Sequence, residues 1–121
     1  MPARLVLRAA NRERTVDGVA AGTGPLGAGT TLELDVTGRG GVPAAARTVM
    51  LNVAAVNPVA DGFLTVYPCG HPFPLASALT YAAGDVRAVA VPTEVGPDGT
   101  VCVYSLATTH VVVDVGGFVT E

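Results

Sequence analysis

The sequence predicts an all-β fold, an antiparallel β-sandwich or jelly roll of about eight short strands, on three observations. Half of the 121 residues are hydrophobic, but they are mostly Ala and Val, with no Trp, three Tyr and three Phe. A core drawn from this pool is built of small and β-branched side chains, which suit the pleated surface of strands. Fifteen Gly and nine Pro are spread along the chain, interrupting it roughly every 8–12 residues, the spacing of short strands and tight turns. Finally, apolar residues alternate with polar ones in several short runs, and no run has a helical period. A folded chain of this length buries roughly two thirds of its unfolded surface, so one domain with one core is expected over residues 1–121.

The elements follow in order. "ARLVLR" (3–8) reads as a first strand, and residues 1–23 as a divergent start made of this strand and part of a Gly-rich loop. The Gly-rich stretch 18–29 is expected as a surface connection. In "TTLELDV" (30–36), Leu32, Leu34 and Val36 share one face and Thr31, Glu33 and Asp35 the other, the pattern of a strand with one wet face. "TVMLNVAAV" (48–56) is apolar at nearly every position except Asn52, as expected of a strand covered on both sides or central in a sandwich. "NPVADG" (57–62) is a reversal signal, so "FLTVY" (63–67) is expected to pair with the preceding run as a hairpin. "ALTY" (78–81) and "VRAVAV" (86–91) follow, the latter closed by Pro92. "PDG" (97–99) turns the chain into "TVCVYS" (100–105), and "HVVVDV" (110–115) ends at a Gly pair.

Charge narrows the function classes. All seven basic residues are Arg, and ten acidic residues bring the net charge to −3. No basic stripe offers the footprint that nucleic acid requires, so no nucleic-acid partner is expected. No apolar run reaches the roughly 18 residues of a membrane helix, and no membrane insertion is expected. "MPARLVLRAA" is too short and too interrupted by Arg for a signal peptide. The chain is expected either not to cross a membrane by itself or to be a domain of a longer secreted protein.

Four stretches in order carry a resemblance: "GPLGAGTTLELDVTGRGGVP" (24–43), "VMLNVAAVNPVADGFLTVYPCG" (49–70), "DGTVCVYS" (98–105) and "THVVVDVGGF" (109–118). Over roughly residues 24–119 the chain resembles a repeat module of secreted and cell-surface proteins in high-GC actinobacteria, often found beside hydrolase domains. Copies of that module commonly begin with an Arg-Leu-hydrophobic-Asp-Thr-Arg run, which "RLVLRAANRERTVDG" (4–18) lacks. The resemblance implies an extracellular or cell-surface accessory module without catalysis of its own.

Cys69 and Cys102 are the only cysteines. In a small Gly-rich all-β domain such a pair reads as a disulfide where the compartment is oxidising. The alternatives are two buried thiols, or a zinc site completed by His71 and His110, against which stands the single residue between Cys69 and His71. Neither a metal nor another cofactor is expected. A calcium site from Asp61, Asp85 and Asp98 lacks a supporting loop spacing. "GRGG" (38–41) lacks the Lys-Thr and the helix of a phosphate loop and reads as a turn. Nor is an enzyme expected. His110 and Asp114 share a strand face but stand roughly 13 Å apart, and Ser77 and Ser105 lack a nucleophile elbow.

What remains is surface. "YPCGHPFPLAS" (67–77) gathers Tyr67, His71 and Phe73 among three prolines, a stiff aromatic loop of the kind that stacks on sugars or anchors a partner. Phe73 and Leu75 plugging one end of the sandwich is the structural alternative. The expected function is adhesion or binding of a cell-wall glycan or surface protein, with the contact at Tyr67, His71 and Phe73. The other class considered is a virion component of an actinobacterial phage, a capsid decoration or tail protein, whose partners are capsid or tail proteins or further copies of the chain.

Overall fold

The computed structural model describes residues 6–8, 25–38, 42–72 and 77–120, the first three by their backbone alone. The Gly-rich stretch before residue 25, "GRGG" beyond Gly38, and Phe73 and Leu75 therefore lie outside the described residues. Eight strands follow one another: β1 (Val6–Arg8), β2 (Thr30–Asp35), β3 (Thr48–Val56), β4 (Gly62–Pro68), β5 (Leu79–Tyr81), β6 (Val86–Glu94), β7 (Thr100–Ser105) and β8 (His110–Val119). There is no helix among the described residues.

The strands form two four-stranded antiparallel sheets, the first ordered β1-β8-β3-β6 and the second β2-β7-β4-β5. First pairs with last, second with seventh, third with sixth and fourth with fifth. The chain is thus a long double ribbon rolled up so that successive strands change layer at every step except from β4 to β5, which is the jelly-roll form of the sandwich. The alternating residues do what their period demands. Val49, Leu51, Val53 and Ala55 of β3 and Val111, Val113 and Val115 of β8 point inward, toward Leu34 of β2, Leu64 of β4 and Val101 and Val103 of β7, in one buried cluster. Fully burying one such Val or Leu contributes roughly 1.5–3 kcal/mol.

Three expectations about elements need correction. β3 and β4 do not form a hairpin, because they lie in different sheets. Asn57 adopts a left-handed φ of 53°, a region that Asn tolerates. Its loop is held by bonds to other loops, Asn57 N–H to Asp85 O (2.7 Å) and Val59 N–H to Thr108 O (2.9 Å). The reversal signal therefore carries the chain across the core, not back along β3.

Pro92 does not close β6, which runs on to Glu94. Pro92 lies opposite Met50 on a strand that, among the described residues, has a neighbour on one side only, where a proline nitrogen can face away from the ladder. Nor does the Gly pair end β8. Leu51 lies opposite Val115 and Met50 opposite Gly117, so Gly116 is the extra residue of a bulge and the strand continues to Val119. β3 is central in its sheet, and its outer face is exposed at Met50 and Asn52 while Ala54 packs against the buried Val112.

One polar group stitches the second sheet from within. Tyr81, on the short β5, is buried, and its hydroxyl lies 2.8 Å from Ser105 Oγ and accepts the Ala107 N–H at 3.0 Å. Ser105 Oγ in turn donates to Ala107 O at 2.6 Å. The ring closes on itself, so every buried polar atom in it is satisfied. Gly62 stands opposite Tyr81, where a Cβ would come within 2.8 Å of the hydroxyl oxygen. Thr93 is the contrast: its Oγ1 is buried with no hydrogen-bond partner.

The two sites predict opposite signs. Tyr81→Phe leaves the Ala107 N–H without its partner and is expected to lower the unfolding free energy by about 1–3 kcal/mol. Thr93→Val removes an unpaired hydroxyl and is expected to raise it by about 1 kcal/mol. Urea titrations of the two variants against the parent check both values.

Candidate functional site: the outer face of the disulfide-bearing sheet

Cys69 follows the end of β4 and Cys102 lies within β7. β4 and β7 are neighbours, with Pro68 opposite Val101 and Tyr67 opposite Cys102, which brings the two cysteines to a Cα separation of 5.1 Å, within disulfide range. They are bonded to each other across 33 residues of sequence, and both are buried. The local backbone holds the corner. Gly96 packs so tightly on Cys69 that a Cβ there would collide with the Cys69 carbonyl oxygen, and the His71 N–H donates to Pro68 O at 3.3 Å to close the turn beyond the bridge.

Side chains on the outer face of this sheet fall into rows set by the register. One row runs Glu33, Cys102, Tyr67, and the next Thr31, Tyr104, Thr65. Phe63 continues the face along β4, opposite Thr80 of β5. The rings of Phe63 and Tyr104 lie 5.9 Å apart between centroids, tilted by 40°, within the favourable range for an aromatic pair. Thr65 points outward yet is only 1% exposed. Its neighbours on that face are Phe63 and Tyr67 along β4 and Tyr104 opposite. All three rings are half-buried, while Thr31, Glu33, Asp35 and Thr80 are exposed.

Of the residues expected at the contact surface, Tyr67 belongs to this face, in register with the disulfide, and His71 is exposed in the turn just past it. Phe73 lies outside the described residues. Phe63 and Tyr104 were missed as site residues. The signal was present: period two in "FLTVY" puts Phe63, Thr65 and Tyr67 on one side, and "TVCVYS" puts Cys102 and Tyr104 together. What the sequence does not give is the pairing of these two strands.

The other groups considered for chemistry are dispersed. Ser105 faces the core and is held in the Tyr81 ring, whereas His110, opposite Val56, and Asp114, opposite Asn52, lie on the outer face of the first sheet. Asp61 accepts the Ala83 N–H at 2.9 Å, and Asp85 accepts the Ala82 N–H at 2.9 Å and pairs with Arg87 at 2.8 Å. These carboxylates shape the β5–β6 turn. Among the described residues no three His, Cys, Asp or Glu side chains are grouped to hold a metal ion, and no helix is long and apolar enough to cross a membrane.

The bridge should govern stability. Intact mass of the oxidised protein is expected to fall short of the reduced chain by one hydrogen per cysteine. Cys69→Ala with Cys102→Ala is expected to cost about 3–4 kcal/mol on the loop-entropy account, read as a fall in Tm of roughly 10–20 °C.

Compared with known proteins, the chain matches no family model, no curated protein and no solved structure.

Proposed function

We propose that the chain is a non-catalytic extracellular accessory module that acts by adhesion, binding a cell-wall glycan or a surface protein at the outer face of the second sheet, beside the disulfide. The observation that carries this reading is the coupling of two features in one place. A buried disulfide suits an oxidising compartment, and it fixes the end of a sheet whose outer side gathers Phe63, Tyr67 and Tyr104. Aromatic side chains on a rigid sheet bind at low ordering cost, because little freedom remains to be lost. The resemblance to secreted actinobacterial modules supports the same reading, as does the commitment of Ser105 to a closed hydrogen-bond ring.

Labelled protein applied to intact cells and to isolated cell walls tests the proposal. Wild type is expected to bind one or both. Tyr67→Ser with His71→Ala is expected to bind roughly tenfold more weakly, the scale of losing one anchor residue, while melting within a few degrees of the parent. Undiminished binding by a well-folded variant, turnover of an ester, peptide or glycoside that Ser105→Ala abolishes, or symmetric multimers in negative stain with no binding to cells would each contradict it.

A further inference from the structure

We propose that β6 is a self-association edge, through which two copies of the chain pair antiparallel about a two-fold axis at Ala88; this goes beyond the adhesion reading and uses the other sheet. β6 spans Val86–Glu94 and, among the described residues, pairs only with β3. The ladder decides which of its backbone groups remain. The Val95 N–H donates to Arg47 O at 2.8 Å and the Asn57 N–H to Asp85 O at 2.7 Å, so the odd-numbered positions flanking β6 turn toward β3. Backbone groups of successive residues point to alternate sides of a strand. The N–H and C=O groups of Val86, Ala88 and Ala90 therefore point away from β3, and among the described residues they have no hydrogen-bond partner. Pro92 has the same parity, so its nitrogen, which carries no hydrogen, sits where the ladder needs no donor.

The side chains suit a close second strand. Val86, Ala88 and Ala90 are exposed on the outer face, opposite Val56, Ala54 and Asn52 of β3, and Val86 is 73% exposed. Val89 lies opposite the buried Val53 yet stays only half-buried at the edge. Strand edges are normally guarded by charge or by shortness. β2 carries Glu33 and Asp35, and β5 spans only Leu79–Tyr81. On β6 the guard is thin, because Arg87 is engaged within its own chain, its Nε 2.8 Å from Asp85 Oδ2 and a terminal N–H donating to Thr80 O at 3.4 Å.

Register selects the occupant. With the axis at Ala88, Val86 of one copy faces Ala90 of the other, and every position from Val86 to Ala90 that faces the partner has both a donor and an acceptor to exchange. Arg87 then stands opposite Val89 of the second copy, so no like charges are directly opposed. An axis at Arg87 would oppose the two guanidiniums, and an axis at Val89 would set Val86 against Pro92, which has no N–H to give. β6 is thus its own complement, and an isologous dimer is the closed assembly that such a surface makes. The two copies share one continuous first sheet and leave the outer face of each second sheet free.

Sedimentation equilibrium of the whole protein from roughly micromolar to millimolar concentration tests this. Wild type is expected to dimerise within that range. Ala88→Pro removes an outward N–H and leaves the β3 ladder intact, as Pro92 does, and is expected to weaken the dimer roughly tenfold or more while melting within a few degrees of the parent. Should that variant not fold, Ala88→Lys and Ala88→Glu carry the test at the same exposed position. Each alone is expected to be monomeric, because like charges meet at the axis, and the two mixed are expected to form a heterodimer. A wild type that stays monomeric throughout, a dimer that persists in folded Ala88→Pro, or charged variants that do not pair when mixed overturns the proposal. Cell binding keeps this apart from the adhesion role. A dimeric wild type that binds no cells contradicts adhesion and leaves the dimer standing, and a monomeric wild type that binds cells does the reverse.

Discussion

The interaction on which the rest depends is the apposition of two apolar inner faces made almost wholly of small side chains. Val49, Leu51, Val53, Val111 and Val113 on one side meet Leu34, Leu64, Val101 and Val103 on the other. Short, branched residues fill the interlayer space, with Tyr81 the one aromatic of the buried cluster among the described residues. Aromatic rings usually dominate cores because each buries so much area. Among the described residues the core makes little use of them, and Phe63, Tyr67 and Tyr104 are left on the far side of the second sheet. The inner packing thus bears on the outer face as well: it holds the strands that carry the rings.

The disulfide acts on the same sheet from its other side. Cys102 faces outward from β7, between Glu33 and Tyr67 in its row, so the bridge is part of the aromatic surface and not of the interlayer core. Its loop-closure effect and its local effect coincide. It shortens the unfolded ensemble, and it holds the end of β4 against β7 at the point where the chain leaves for the turn containing His71. The Tyr81 ring does the corresponding work further along, tying β5 to the end of β7 through Ser105 and Ala107. With the sheet braced at both places, the rings between them keep their spacing.

Much of this was legible in the sequence because it depends on local period. The alternation in residues 30–36 assigned the wet face of Thr31, Glu33 and Asp35 correctly, and the pairing of Cys69 with Cys102 needed only two cysteines in a small all-β chain. The misreadings share a cause, which is that they turn on which strand lies beside which. "NPVADG" reads locally as a hairpin loop, but both flanking strands have an apolar face to bury, and facing each other across the core satisfies both where pairing in one sheet does not. Pro92 stops a strand only if its nitrogen faces a neighbour, and the edge position of β6 is not written locally. Gly116 and Gly117 look like an end because a bulge and a turn use the same residue. The candidate surface was half legible for the same reason: Tyr67 was found on its own loop, while Tyr104 joins it only through the β4–β7 register.

The central claim is that the outer face of the second sheet is the working surface. Covalent labelling of tyrosines in the free and the cell-bound protein tests it most directly, because the three tyrosines occupy distinct places. Tyr67 and Tyr104 are half-buried on that face and Tyr81 is buried in the core, so Tyr81 serves as the internal control. The account predicts that Tyr67 and Tyr104 are labelled in the free protein and protected on binding, with Tyr81 unlabelled in both. Equal labelling of Tyr67 and Tyr104 in free and bound protein would contradict it.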